Sequence, residues 1–100
     1  MAKFSLSNKA LEDLSEIWDY TYDAWSENQA DKYYKLLIGF CTQIAKKPEI
    51  GRNYKETNQN VLGFKAGEHI IFYLIIDNGE IEIARILHAK MDLGSKMSEL

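Results

Sequence analysis

The chain has 100 residues, 27% of them charged and 46% hydrophobic, and a formal net charge of −3. That length allows one domain burying roughly 60–70% of its unfolded surface, and one proline with six glycines leaves little room for linkers. A single cysteine excludes an internal disulfide, and the acidity argues against a surface that is basic throughout, as in a nonspecific nucleic-acid binder.

The charge is segregated along the chain. Residues 1–31 carry seven acids against Lys3 and Lys9, a net of −5. Residues 32–65 carry seven bases against Glu49 and Glu56, a net of +5, and residues 66–100 carry three bases against six acids, a net of −3. Charged helix faces are ordinarily solvated, but such segregation also suits a protein partner of complementary charge.

Lys3 to Leu6 alternates weakly and fits a short strand. The stretch after Met1 lacks the apolar core of a signal peptide. The longest apolar run, Ile70 to Ile76, is far short of the ~18–20 residues that span a bilayer. The expectation is a cytoplasmic protein with no membrane segment.

Ser7 or Asn8 can cap a helix through a side-chain oxygen. Leu11, Leu14, Trp18, Tyr22 and Trp25 then recur at intervals of three and four, which predicts one buried helical stripe. Glu12, Asp13, Glu16, Asp19 and Asp23 fall largely on the other side. Ser26-Glu27-Asn28-Gln29 has the form of a capping box and should start a second helix. Ala30, Tyr33, Leu37, Cys41 and Ile44 mark its stripe, broadened by Tyr34, Ile38 and Phe40. Cys41 among these reads as a small buried hydrophobe. Lys46 and Lys47 favour the helix dipole at the last turn, and Pro48 stops the helix. So short a connection predicts an antiparallel helical hairpin.

Glu49 to Asn60 is polar and reads as a loop. Val61 to Lys65 fits a strand, broken at Ala66-Gly67. Glu68 to Ile76 is almost continuously apolar, as expected of a strand covered on both faces. Asn78-Gly79 predicts a two-residue turn with positive φ at both positions. Glu80 to Leu87 alternates, and residues 89–100 form a polar tail to one domain spanning 1–100. The order β-α-α-β-β-β gives an α+β fold, a helical hairpin packed on a small, mainly antiparallel sheet.

Few residues suggest chemistry. His69 and His88 are not at metal-ligand spacing with another His or Cys. There is no phosphate-binding glycine loop and no nucleophile elbow, so no cofactor is expected. An imidazole can take up or release a proton near neutral pH, so His88 could serve as an acid or base. Arg85 shares strand parity with Ile81, Ile83 and Leu87. It therefore points to the apolar face or its edge, where it must find a carboxylate or several carbonyls. Trp18, Tyr22, Trp25, Tyr33 and Tyr34 fall at helical spacing and read first as core, but twelve aromatics in 100 residues leave some for an interface, where tyrosine and tryptophan are favoured.

Several phrases together resemble the ParE branch of the RelE/ParE toxin superfamily of type II toxin–antitoxin modules. These are Leu11, Ile17, Trp18 and Tyr20 in the first helix, the turn from Pro48 to Gly51, and Gly67-Glu68-His69-Ile70-Ile71-Phe72-Tyr73. The most specific is Ile81-Glu82-Ile83-Ala84-Arg85-Ile86-Leu87-His88, followed by Met91-Asp92. The resemblance implies a protein inhibitor, not an enzyme, that poisons DNA gyrase and blocks replication. It also implies a ribbon-helix-helix antitoxin of ParD type, whose C-terminal segment wraps the toxin and which alone contacts operator DNA. On this reading Arg85, His88, Lys90, Met91 and Asp92 contact gyrase, and Trp18, Tyr22, Trp25 and Tyr34 meet the antitoxin.

The chain departs from the family where Ile70 and Leu74 stand at positions often occupied by arginine, and in being more acidic. Two alternatives remain. One is a ribosome-dependent mRNA endonuclease of RelE type using Arg85 and His88. The other is a non-toxic module that keeps only antitoxin binding.

Overall fold

The computed structural model describes residues 3–54 and 60–90. Met91, Asp92 and the rest of the tail lie outside them. Strand β1 (Phe4–Leu6) leads into helix α1 (Asn8–Ala24) and helix α2 (Glu27–Lys46). A 3-10 turn at Pro48–Ile50 follows, then β2 (Leu62–Ala66), β3 (His69–Ile75) and β4 (Ile81–His88). The sheet order is β1-β4-β3-β2, with β1 parallel to β4 and the other pairs antiparallel. This is the expected α+β order.

Both helices start at the predicted caps. Ser7 Oγ accepts from Ala10 N–H at 3.0 Å and donates to the Ala84 carbonyl at 2.7 Å, so one hydroxyl caps α1 and ties it to β4. Ser26 Oγ accepts from Gln29 N–H at 3.1 Å. Such caps are worth about 1 kcal/mol each.

The main core lies between the helical hairpin and one sheet face. Leu14, Leu37, Cys41 and Ile44 meet Ile71, Tyr73, Ile81, Ile83 and Ile86 there. Burial pushes the Cys41 thiol up to about 12, so it stays protonated and inert. Val61, Ile70, Phe72 and Leu87 form a second cluster. Strand β3 is thus buried on both faces over Ile70–Tyr73, as its unbroken apolar run predicts.

Four expectations need correcting. The α1 stripe is rotated: Ala10, Asp13 and Leu14 are buried, whereas Leu11, Tyr22 and Trp25 are exposed and Trp18 is half-buried. Tyr34 is also exposed, rather than a flank of the α2 stripe. The β3–β4 turn holds three residues, Asp77–Gly79, closed by Ile76 N–H to the Glu80 carbonyl at 2.8 Å. Asn78 and Gly79 do take positive φ, 69° and 76°. Finally, the β3–β4 register shifts between Phe72 and Tyr73, which face Arg85 and Ile83 respectively. Skipping Ala84 breaks strict alternation, so Ile86 joins Ile81 and Ile83 in the main core while Leu87 joins the second cluster.

The predicted loop from Glu49 is partly ordered by contacts to the sheet. Arg52 and Gly63 exchange backbone hydrogen bonds at 2.8 and 2.9 Å. Tyr73 Oη accepts from Gly51 N–H at 2.9 Å and donates to the Pro48 carbonyl. A Cβ on Gly51 would fall 2.2 Å from that phenol oxygen, so the close approach requires glycine.

Candidate functional site

A cleft of about 700 Å³ opens where the helical hairpin meets one end of the sheet. From α1 it takes Glu16, Ile17, Tyr20 and Thr21, with Trp25 at the hairpin end. From α2 it takes Lys32, Tyr33 and Leu36, and from the sheet Glu68, His69 and the stretch Arg85–His88. Trp25 is 73% exposed and Tyr20 is 72% exposed. Large aromatic side chains standing free on a cleft rim are the usual mark of a binding surface.

Under the rim lies a buried ion pair. Arg85 donates from Nε to Asp13 Oδ2 at 2.9 Å and from Nη2 to Asp13 Oδ1 at 3.0 Å. Asp13 Oδ2 also accepts from Ile86 N–H at 2.9 Å. Asp13 is 7% exposed and Arg85 is 8% exposed. The pair explains the rotation of α1: the helix turns Asp13 inward because an unpaired buried guanidinium would be far costlier than exposing Leu11 or Tyr22. The Arg85 partner expected from strand parity exists, but on a residue that the apolar stripe assigned to solvent. The signal was present. Asp13 shares a helical face with Ala10, Leu14 and Ile17, and a carboxylate inside an apolar stripe marks a buried partner.

A second polar group links α2 to the strand ends. His69 and His88 sit opposite each other in the β3–β4 register. Their ring centroids are 5.2 Å apart at 76°. Tyr33 Oη is 2.6 Å from His69 Nδ1 and accepts from Glu68 N–H at 2.9 Å. Burial raises the Tyr33 pKa, so the phenol keeps its proton and donates it to Nδ1 of neutral His69. His88 Nδ1 accepts from Lys90 N–H at 3.1 Å, which holds the ring at the end of the last strand.

Burial first, and the neighbouring His88 second, lower the pKa of His69 to about 4. An unfolded histidine titrates near 6.5. Between those values the unfolded chain binds more protons than the folded one, so stability is full above about pH 6.5 and is lost as pH falls toward 4. Thermal melts across that window should show the loss, and His69→Gln should flatten the slope. An unchanged slope in the variant would remove His69 as its source.

The other predicted contact residues are dispersed. Trp25 lines the cleft, whereas Trp18 does not and turns to α2, with its indole N–H donating to Asp31 Oδ1 at 3.1 Å. Tyr22 stacks on Trp18 at 5.2 Å, and Tyr34 is exposed on α2. Lys90 is exposed next to His88. Residues that the sequence reading did not assign to a site are Asp13, Tyr20, Tyr33 and His69.

Among the described residues, no group of three or more His, Cys, Asp or Glu side chains could hold a metal ion. Nor is any helix among them long and apolar enough to cross a membrane.

Comparison with known proteins agrees with this geometry. Residues 4–93 match the family described as the ParE toxin of type II toxin-antitoxin system, parDE. Two curated proteins from Mycobacterium tuberculosis, strains CDC 1551 / Oshkosh and H37Rv, are named Toxin ParE1. Each is 37% identical over 92 residues, covering 92% of this chain and 94% of the relative. A Toxin ParE1 from Caulobacter vibrioides is 30% identical over the same coverage. A solved chain titled "Chromosomal ParDE TA system from P. aeruginosa" superposes with a TM-score of 0.76 at 17% identity, covering 90% of this chain and 98% of that one. At that identity the likeness speaks for the fold. With the family match spanning most of the sequence and curated relatives aligned nearly end to end, the chain belongs to the ParE toxins of type II toxin–antitoxin systems.

Proposed function

We propose that this chain is a toxin that inhibits DNA gyrase in the cytoplasm, blocking replication, and that a ribbon-helix-helix antitoxin of ParD type neutralises it. The antitoxin lays a helical segment in the cleft between the hairpin and the strand ends, and alone carries the complex to operator DNA. The cleft itself supports this reading most directly: it is large, mostly apolar and rimmed by free aromatic rings, which suits a helix-in-groove partner. Trp25 is the anchor expected from inside it; Trp18, Tyr22 and Tyr34 do not line it, and their proposed contacts are with antitoxin chain running outside the cleft.

The engagement of Arg85 with Asp13 weighs against mRNA cleavage. A transition state for phosphodiester cleavage needs cations placed on the phosphate, and among the described residues Lys32 is the other lysine or arginine lining the cleft. The gyrase-contacting surface is proposed at the end of β4 and the following tail: His88, Lys90, Met91 and Asp92. Arg85, expected in this set from the sequence, is buried on Asp13, so its proposed part is to hold the strand end rather than to touch gyrase.

Purified protein added to gyrase and relaxed plasmid should inhibit supercoiling. Linear DNA should accumulate once the reaction is quenched with detergent and protease. Removing Asp92 to Leu100 should abolish both effects and leave the circular dichroism melt unchanged. If the truncated chain fails to fold, the tail is structural and the contact assignment is withdrawn. Full supercoiling in the presence of folded, antitoxin-binding protein would favour a module that has lost toxicity. Cleaved message on translating ribosomes, lost on mutating His88, would favour the endonuclease.

A further inference from the structure

The cleft has a charge pattern as well as an apolar floor. Glu12, Glu16, Asp19 and Asp23 recur at intervals of four, three and four, so they share one face of α1. All four are exposed. Glu16 belongs to the cleft wall, and the others continue its line along the helix. Asp13 is excluded from this set because Arg85 neutralises it. Across the cleft, exposed Glu68 stands at the β2–β3 turn, and its backbone N–H, not its carboxylate, bonds Tyr33. Among the described residues neither Glu16 nor Glu68 makes an ion pair. The α2 side is different: it offers Lys32 beside Leu36.

We infer that the cleft selects an amphipathic helix with a basic flank, its arginine or lysine side chains meeting Glu16 and Glu68 while its apolar stripe packs between Tyr20, Trp25 and Leu36. This rests on the proposed antitoxin docking and adds the partner's chemistry to it. The acidic wall and the exposed rings act on the same cation. Tyr20 stands one turn beyond Glu16 on α1, so a guanidinium over its ring lies within reach of that carboxylate. Aromatic faces attract cations best when part of the water shell is removed, as it is at the edge of a filled groove. The opposite pattern, an acidic flank on α1, would set carboxylates against Glu16 and its neighbours, and like charges at an interface are strongly selected against.

Two labelled 18-residue helical peptides test this. They share one leucine stripe and one neutral flank, and differ only in carrying arginine and lysine or glutamate on the other flank. Anisotropy titrations at low salt should show the basic peptide binding at least ~10-fold tighter than the acidic one. The double variant Glu16→Lys/Glu68→Lys should erase or reverse that preference. Glu49→Lys, remote from the cleft, should leave it intact, and the melts of all variants should match the parent.

Equal binding of the two peptides, or preference for the acidic one, would overturn the charge inference while leaving antitoxin docking in place. A preference that survives the double variant would do the same. Failure of both peptides to bind, or binding undiminished by Trp25→Ala, would overturn docking in this cleft. The gyrase assay reports independently of either result.

Discussion

Asp13→Ala should destabilise the fold by about 3–5 kcal/mol, the cost typical of removing one partner from a buried ion pair. The carboxylate accepts from Arg85 Nε, Arg85 Nη2 and Ile86 N–H. Its removal takes two charge-assisted hydrogen bonds from a buried guanidinium and the acceptor from a backbone donor beneath α1 at once. A domain of this size has roughly 5–15 kcal/mol of total stability, so the variant should be largely unfolded near the upper end of growth temperatures. Urea denaturation followed by circular dichroism measures the loss.

Two companion variants separate its causes. Asp13→Asn keeps an acceptor for Ile86 N–H but loses the charge, and should fall between parent and alanine variant. Asp13→Ala combined with Arg85→Met removes both charges of the pair, and the Ile86 N–H still loses its acceptor. It should recover much of the loss, because an orphaned donor costs about 1–3 kcal/mol. A loss below about 1 kcal/mol for Asp13→Ala would mean that Arg85 finds another partner and that the pair is not what orients α1.

Trp25→Ala should weaken antitoxin binding by roughly 30-fold or more while leaving the melt of the free protein unchanged. Truncating an interface hot spot costs about 2 kcal/mol or more, and tryptophan is among the commonest residue types at such spots. Trp25 is well suited to that part because its ring is already outside the core, so removing it forfeits little folding energy. Tyr34→Ala should lower affinity by no more than about threefold, since Tyr34 is exposed on α2 and does not line the cleft and peripheral contacts carry little of the binding energy. Trp18→Ala should instead lower stability, through its stack on Tyr22 and its bond to Asp31. Calorimetry of each variant against the antitoxin, paired with melts, distinguishes the three roles. A Trp25 variant that binds as tightly as the parent would move the antitoxin away from the hairpin end of the cleft.

The element order was legible because it is written in local signals. Ser7 and Ser26 cap helices where their side chains find the orphan N–H groups. Pro48 stops α2, Asn78-Gly79 supplies positive φ to the hairpin turn, and the apolar run of β3 matches its burial on both faces. Each signal acts within a few residues, so no knowledge of the rest of the chain is needed to read it. The family phrases were legible for a related reason: they combine several such positions at fixed spacing.

The rotation of α1 and the composition of the cleft were not legible in that way. Counting apolar residues favours Leu11, Trp18, Tyr22 and Trp25 as the buried stripe, and the count ignores the demand of a charge 72 residues away. Asp13 meets Arg85 only after β4 is threaded between β1 and β3, and the skipped Ala84 adjusts which side chains face the helices. His69 and His88 face each other only through strand register, and Tyr33 reaches His69 only from the packed hairpin. Local chemistry therefore specified where each element starts and stops, and which family it belongs to. Long-range electrostatics and register chose the faces that are buried and those left open, because an unpaired buried charge outweighs the exposure of several aromatic rings.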